Sequence, residues 1–165
     1  MILDKTLTVD TGMTTAWALW KGDPFPLVGQ FACSHARTIR TSVDKVAFMA
    51  EQFDSVLSCL SPDLVILEMA ELWDANAKSH MAGVLGDLFQ LTLMVGAYLT
   101  KAKQKHMKVE LLPARAWKGQ LSKEATAYRV QCINGLFYES EHITDAVGIG
   151  FSRDYDIWHL KKNVR

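Results

Sequence analysis

At 165 residues, with 49% hydrophobic and 22% charged side chains, the chain has the composition of one globular domain able to build a core without metals or disulfides. Eighteen Lys and Arg balance eighteen Asp and Glu, so no net field draws the whole molecule to nucleic acid or membrane, and any basic surface must be local. Cys33, Cys59 and Cys132 are odd in number and far apart, which excludes a disulfide framework and any CxxC metal pair.

The five histidines show no zinc-type spacing with those cysteines, and a reducing, cytoplasmic setting is the economical expectation. Asp4 and Lys5 stand where a signal peptide needs an apolar core, and no uncharged apolar run reaches membrane-spanning length. A single domain over 1–165 is expected, with its core at about 5–152 and a basic, aromatic tail at about 153–165.

The first strand is read from Leu7-Thr8-Val9-Asp10, which alternates, favours β structure and delivers an acid before the turn at Gly12. By itself Asp10 reads as a turn cap before it reads as a functional group. Thr15 to Trp20 continues as a second strand, Lys21 to Pro26 is a dense turn signal, and Leu27 to Ser34 reads as a third strand, closing an antiparallel meander.

From Ser42 the period changes. Val43, Val46, Ala47, Ala50, Phe53, Val56, Leu57 and Leu60 recur at three- and four-residue steps, one face of a helix of about five turns. Thr41 or Ser42 can cap it, Ser61-Pro62 closes it, and the stripe is assigned to the core. Asp63 to Glu68 follows as a short, continuously apolar strand of the kind covered on both faces. It also ends on an acid, which either emerges at an edge or is used, since an unpaired carboxylate after four buried aliphatics is costly.

A polar connection from Met69 to Lys78, holding Glu71, Trp73 and Asp74, leads into a long helix expected at about 79–103. That helix is apolar nearly all round, so it packs on its own sheet and on something else, for which a second copy of the chain is the expected partner. Residues 101–129 then carry eight Lys and Arg against Glu110 and Glu124. Within them Val109 to Leu112 reads as a strand stopped by Pro113, with Arg115, Lys118 and Lys123 in a loop and helix start. Such a run is either a solvated face or a phosphate-contacting one.

The last organised stretch is Ser140 to Phe151, a helix capped by Ser140. His142 and Asp145 share one of its faces, and Gly148 and Gly150 imply close packing, since glycines inside a helix cost about 1 kcal/mol each relative to Ala.

This order of elements, with acids closing the first and fourth strands and another on the final helix, resembles a ribonuclease H-like α/β domain with a five-stranded mixed sheet. The motifs are similar to those of RuvC-type Holliday-junction resolvases, and the chain's compact form suits a phage-type or a bacterial member. Val9-Asp10-Thr11-Gly12 resembles the family's first-strand motif, and Pro62 to Glu68 its strand ending in Glu. Asn76-Ala77 and Leu85-Gly86 resemble the start of its dimerising helix. Ala114 to Lys118 with Ser122-Lys123 is similar to its two-lysine loop, and His142-Ile143-Thr144-Asp145-Ala146 to its final pair.

The resemblance implies a homodimeric crossover junction endodeoxyribonuclease that cuts four-way or other branched DNA by two-metal hydrolysis. Asp10, Glu68, Asp145 and His142 would form the metal set, with Asp10 bridging two Mg²⁺ ions and His142 a fourth ligand or a water-positioning base. A His ligand makes Mn²⁺ a competent substitute. Lys118 and Lys123 would neutralise transition-state charge, and Arg115, Lys118, Lys123 and Trp73 would contact DNA. Met69-Ala70-Glu71 stands where the family tends to place an aromatic, leaving base unstacking to Trp73 or to nothing.

Two other readings stay open. One is a branched-DNA-binding protein of this fold that does not cut. The other is a nucleotide-binding domain of the actin and sugar-kinase type, suggested by Asp10 to Thr14, although the chain has no second Asp-Gly phosphate loop.

Overall fold

The computed structural model describes residues 5–33, 41–69, 81–153 and 158, with the side chains of 81–85 and 87 excepted. Among the described residues ten elements follow in chain order. The meander is β1 (Thr6–Asp10), β2 (Thr14–Trp20) and β3 (Leu27–Ala32). Next come α1 (Ser42–Leu60), β4 (Leu64–Met69), α2 (Met81–Gln104) and β5 (Lys108–Pro113), and then α3 (Ala114–Trp117), α4 (Lys123–Asn134) and α5 (Glu141–Ser152).

The strands form one mixed sheet in the order β3-β2-β1-β4-β5. The meander pairs antiparallel, whereas β1, β4 and β5 run parallel. This is the five-stranded mixed sheet flanked by helices expected from the sequence.

Side-chain alternation divides the sheet into two faces. Leu7, Val9, Leu19, Val65 and Leu67 point to one, where Met49, Phe53 and Leu57 of α1 and Met94, Tyr98 and Ala102 of α2 cover them. Ala16, Ala18, Trp20 and Ile66 point to the other, against Ala146, Val147, Ile149 and Phe151 of α5. Val65, Ile66 and Leu67 are 0% exposed, as a continuously apolar strand covered on both sides requires.

Helix ends fall where capping chemistry puts them. The hydroxyls of Thr41, Ser122 and Ser140 accept from the backbone N–H groups of Asp44, Ala125 and Ile143. Ser61 closes α1 in the left-handed conformation, with φ of 44°.

Some expectations need correction. The core row of α1 is Met49, Ala50, Phe53 and Leu57, while Val43 is 70% exposed and Ala47 is also exposed. The first turn precedes the helix's contacts with the core, so the buried stripe begins later than its periodicity predicts. The region after Pro113, expected as a loop, holds the one-turn helix α3 and carries Arg115 within it. Pro113 itself pairs with Met69, which an edge strand permits. Strand β3 ends at Ala32, and Ser34 lies outside the described residues.

Helix α2 turns Met94, Tyr98 and Ala102 inwards at 0% exposure, while Phe89 is 66% exposed and Leu93 39%. Its outer side is therefore apolar in part, as expected. Among the described residues no helix is long and apolar enough to cross a membrane.

Candidate active site

The last register pair shared by β1 and β4 is Val9 with Leu67. The residues that follow, Asp10 and Glu68, stand side by side at the C-terminal ends of two parallel strands roughly 4.8 Å apart. Since Val9 and Leu67 face α1 and α2, alternation turns both acids to the α5 face. The same alternation that builds the core on one side therefore places two carboxylates together on the other.

Helix α5 supplies the rest. Thr8, two residues before Asp10, donates its hydroxyl to the Ala146 carbonyl at 2.7 Å and accepts the Trp20 indole N–H at 3.0 Å. The bond ties β1 to Ala146, the residue that follows Asp145. Gly150 packs on the Trp20 ring, which a methyl group there would overlap, and a Cβ on Gly148 would stand 2.8 Å from the Trp117 ring. Gly150 thus lets α5 approach the sheet closely enough for His142 and Asp145 to reach the strand ends, while Gly148 makes room for the Trp117 ring of α3.

Electrostatics ties these groups into one site. Burial, then the charges of Asp10 and Asp145, push the Glu68 carboxyl up to about 8, with Lys118 and the Trp117 indole opposing. Burial likewise raises Asp145, against the hydrogen bond and charge of Lys118. Lys118 Nζ lies 2.6 Å from Asp145 Oδ2, with both side chains under one-fifth exposed (18% and 19%). His142 Nδ1 lies 2.8 Å from Asp10 Oδ2, a bond that raises the imidazole pKa and favours its protonated form.

Two buried side-chain atoms here, Glu68 Oε2 and Trp117 Nε1, make no hydrogen bond. The Trp117 indole lowers the Glu68 pKa by its proximity, but its N–H does not meet hydrogen-bond geometry.

Of the residues proposed from sequence, Asp10, Glu68, His142, Asp145 and Lys118 come together. Lys123 sits at the rim, paired with Glu141 at 2.7 Å while both remain more than half exposed (65% and 52%), and it feels the charges of Asp145 and Asp10. Arg115 is exposed on α3. Trp73 lies outside the described residues.

Among the described residues, no three His, Cys, Asp or Glu side chains are arranged to hold a metal ion as they stand. Lys118 and His142 occupy the oxygens of Asp145 and Asp10 instead. Sequence reasoning missed Thr8, Trp20 and Trp117 as supports of the site. Only Trp117 left a trace, inside the Ala114 to Lys118 motif.

No protein-family model matches the sequence, and no curated protein matches it either. Solved structures do. Thermus thermophilus RuvC in complex with Holliday junction substrate superimposes with a TM-score of 0.65 at 17% identity, over 92% of this chain and 93% of that one. The chain has the RuvC fold. A second Thermus thermophilus RuvC structure gives 0.60 at 18% identity, again over 92% and 93%. The yeast mitochondrial Holliday junction resolvase Ydc2 gives 0.57 at 8% identity over 96% of this chain and 83% of that one. At these identities the likeness shows the RuvC fold, and the chemistry has to be argued from Asp10, Glu68, His142 and Asp145.

Proposed function

We propose that the protein is a divalent-metal-dependent endonuclease that cuts four-way or other branched DNA by phosphodiester hydrolysis, acting as a homodimer in the cytoplasm of its cell. One observation carries the reading: Glu68 stands half-buried beside Asp10 and Asp145 with a buried, unpartnered oxygen, and burial together with those two charges pushes its carboxyl up to about 8. Three convergent carboxylates with an imidazole are a hard donor set, suited to Mg²⁺ and, through His142, to Mn²⁺. The RuvC fold supports the choice of substrate, because one structure of that fold holds a Holliday junction.

Asp10, Glu68 and Asp145 would hold the ions, with His142 as a fourth ligand or water-positioning base. Two Mg²⁺ ions so bound would activate a water and stabilise the leaving oxygen of the phosphodiester.

The chain's own residues do the rest. Lys118 pairs with Asp145, and its ammonium would neutralise charge on a phosphate oxygen brought beside that acid. His142 holds the Asp10 carboxylate in a fixed orientation through Nδ1. Lys123 and Arg115, on exposed positions near this loop, supply backbone phosphate contacts that set register without reading sequence. The exposed Phe89 and Leu93 of α2 provide the apolar surface for a second copy.

Cutting of four-way junctions, forks, flaps and linear duplex with and without Mg²⁺ tests the reading. Asp10→Asn is expected to lower the junction-cutting rate at least about 10³-fold, in the range of losses seen when a group acting in the transition state is removed. Junction affinity should stay within a few-fold. Cutting by wild type without any divalent ion, or full activity in Asp10→Asn, would overturn it.

A further inference from the structure

The C-terminal tail has no role assigned by its sequence pattern, yet one of its aromatics reaches the site. Trp158 is 2% exposed. Its indole N–H donates to the backbone carbonyl of Trp117 at 2.8 Å, and the two rings stand 5.8 Å apart at 54°. Arg129 of α4 places its guanidinium 5.2 Å over the Trp158 ring, and a Cβ on Gly148 would come within 3.2 Å of that ring.

Four separate parts of the chain thus meet at Trp158: α3, α4, α5 and the tail. The carbonyl it holds belongs to the peptide joining Trp117 to Lys118. That peptide carries two groups facing the acids, the Lys118 ammonium on Asp145 and the Trp117 indole beside Glu68.

Helix α3 is anchored on α5 by the buried Trp117 ring and by the Lys118–Asp145 pair, but has few local means of fixing its orientation. It is a single turn, Pro113 provides no side-chain cap, and the loop behind it passes through Gly119 at a φ of 61°. An element of one turn is marginal without tertiary support. A buried indole–carbonyl hydrogen bond, with the ring packed between an aromatic and a cation, supplies that support.

We infer that Trp158 is a positioning residue of the active site: through its hydrogen bond to the Trp117 carbonyl it holds the Trp117–Lys118 peptide so that Lys118 faces Asp145 and the Trp117 indole faces Glu68. Trp158 touches none of the acids and acts only through α3. The inference deepens the nuclease reading and rests on it for its kinetic consequence.

Trp158→Phe keeps a ring in the slot and removes only the donor. It is expected to lower the single-turnover junction-cutting rate about tenfold, with junction affinity within twofold and a cooperative thermal transition retained. Trp158→Ala should lower the rate further, and if it fails to fold the Phe variant still decides.

The route through Lys118 is read from a double-mutant cycle. With Lys118→Ala already in place, Trp158→Phe should cost no more than about twofold, because the group it positions is gone. A merely structural role predicts that the two losses multiply, and that result, or wild-type cutting by Trp158→Phe, overturns the inference.

The same proteins without DNA keep the two readings apart. In two-dimensional NMR the Trp158 indole proton should resist exchange with solvent, and Trp158→Phe should shift the backbone amides of Trp117, Lys118 and Gly119. If wild type cuts no branched DNA, the nuclease reading falls and these amides alone judge the support. If they do not move, the support falls whatever the activity.

Discussion

The two faces of the sheet are built from the same strands and have opposite requirements. On the α1 and α2 side, Leu7, Val9, Val65 and Leu67 meet Phe53, Met94 and Tyr98, and even the Tyr98 hydroxyl is satisfied by Thr15 at 2.9 Å. On the α5 side one step along the same strands brings Asp10 and Glu68 into partly closed space with Asp145, a charge shortage and an unpaired oxygen. The first face lowers the free energy of the fold. The second stores a cost that the proposed divalent cation would relieve, which is how a partly closed site can be ready for ligand. Stability and activity should therefore respond in opposite ways to substitutions on the two faces.

Glu68→Gln should break the comparison most visibly, abolishing cutting at the level expected for Asp10→Asn while stabilising the ion-free protein. In the folded chain Glu68 keeps its proton up to about pH 8, whereas unfolded it releases it near 4.5, so folding takes up a proton between those values. Wild-type stability then falls as pH rises through that window. At about 1.4 kcal/mol for each pH unit between the two values, the penalty removed at pH 8 is on the order of a few kcal/mol. Thermal melts at pH 8 should show the variant several degrees above wild type, with no gain near pH 4. Added Mg²⁺ should raise wild type and leave the variant unmoved.

Phe53→Ala is the counterpart on the closed face. Phe53 is 0% exposed and stacks on Tyr98 at 4.2 Å, so truncation should cost about 3–5 kcal/mol in denaturant melts. Its cutting rate per folded molecule should be unchanged, and a large loss of intrinsic rate would show that the faces are not separable.

Gly150→Ala should fall between them. The added methyl overlaps the buried Trp20 ring, and overpacking of this kind costs about 1–3 kcal/mol. Because α5 must lift off β1 to accept it, junction cutting should drop along with stability.

Lys123→Ala is the smallest change. Its bridge to Glu141 is exposed, so melts should agree with wild type. Junction affinity should weaken a few-fold at low salt, with a shallower salt dependence from the lost phosphate contact.

Much of this architecture is legible from local pattern. Alternation in Leu7 to Asp10 and the continuous run from Leu64 to Leu67 identify β1 and β4 with their terminal acids. Ser140, His142, Asp145 and the two glycines mark α5 as a close-packed helix that carries two of the candidate residues. Where a signal depends on where neighbours lie, local pattern fails. The stripe on α1 extends through Val43 because periodicity does not say where a helix leaves the core, and α3 escapes notice because one turn carries no period.

By itself, the sequence determined which residue types stand at strand ends and helix faces, since periods of 2 and 3.6 are written along the chain. Only the tertiary structure decided their partners: Lys118 on Asp145, His142 on Asp10, Thr8 on Ala146 and Trp158 on Trp117. Each of these contacts joins residues at least 27 positions apart, and their energies depend on burial, which no local pattern encodes. The same holds for the most informative property of the site, the raised Glu68 carboxyl. It arises from desolvation and two neighbouring charges, and exists only once the fold has brought three carboxylates together.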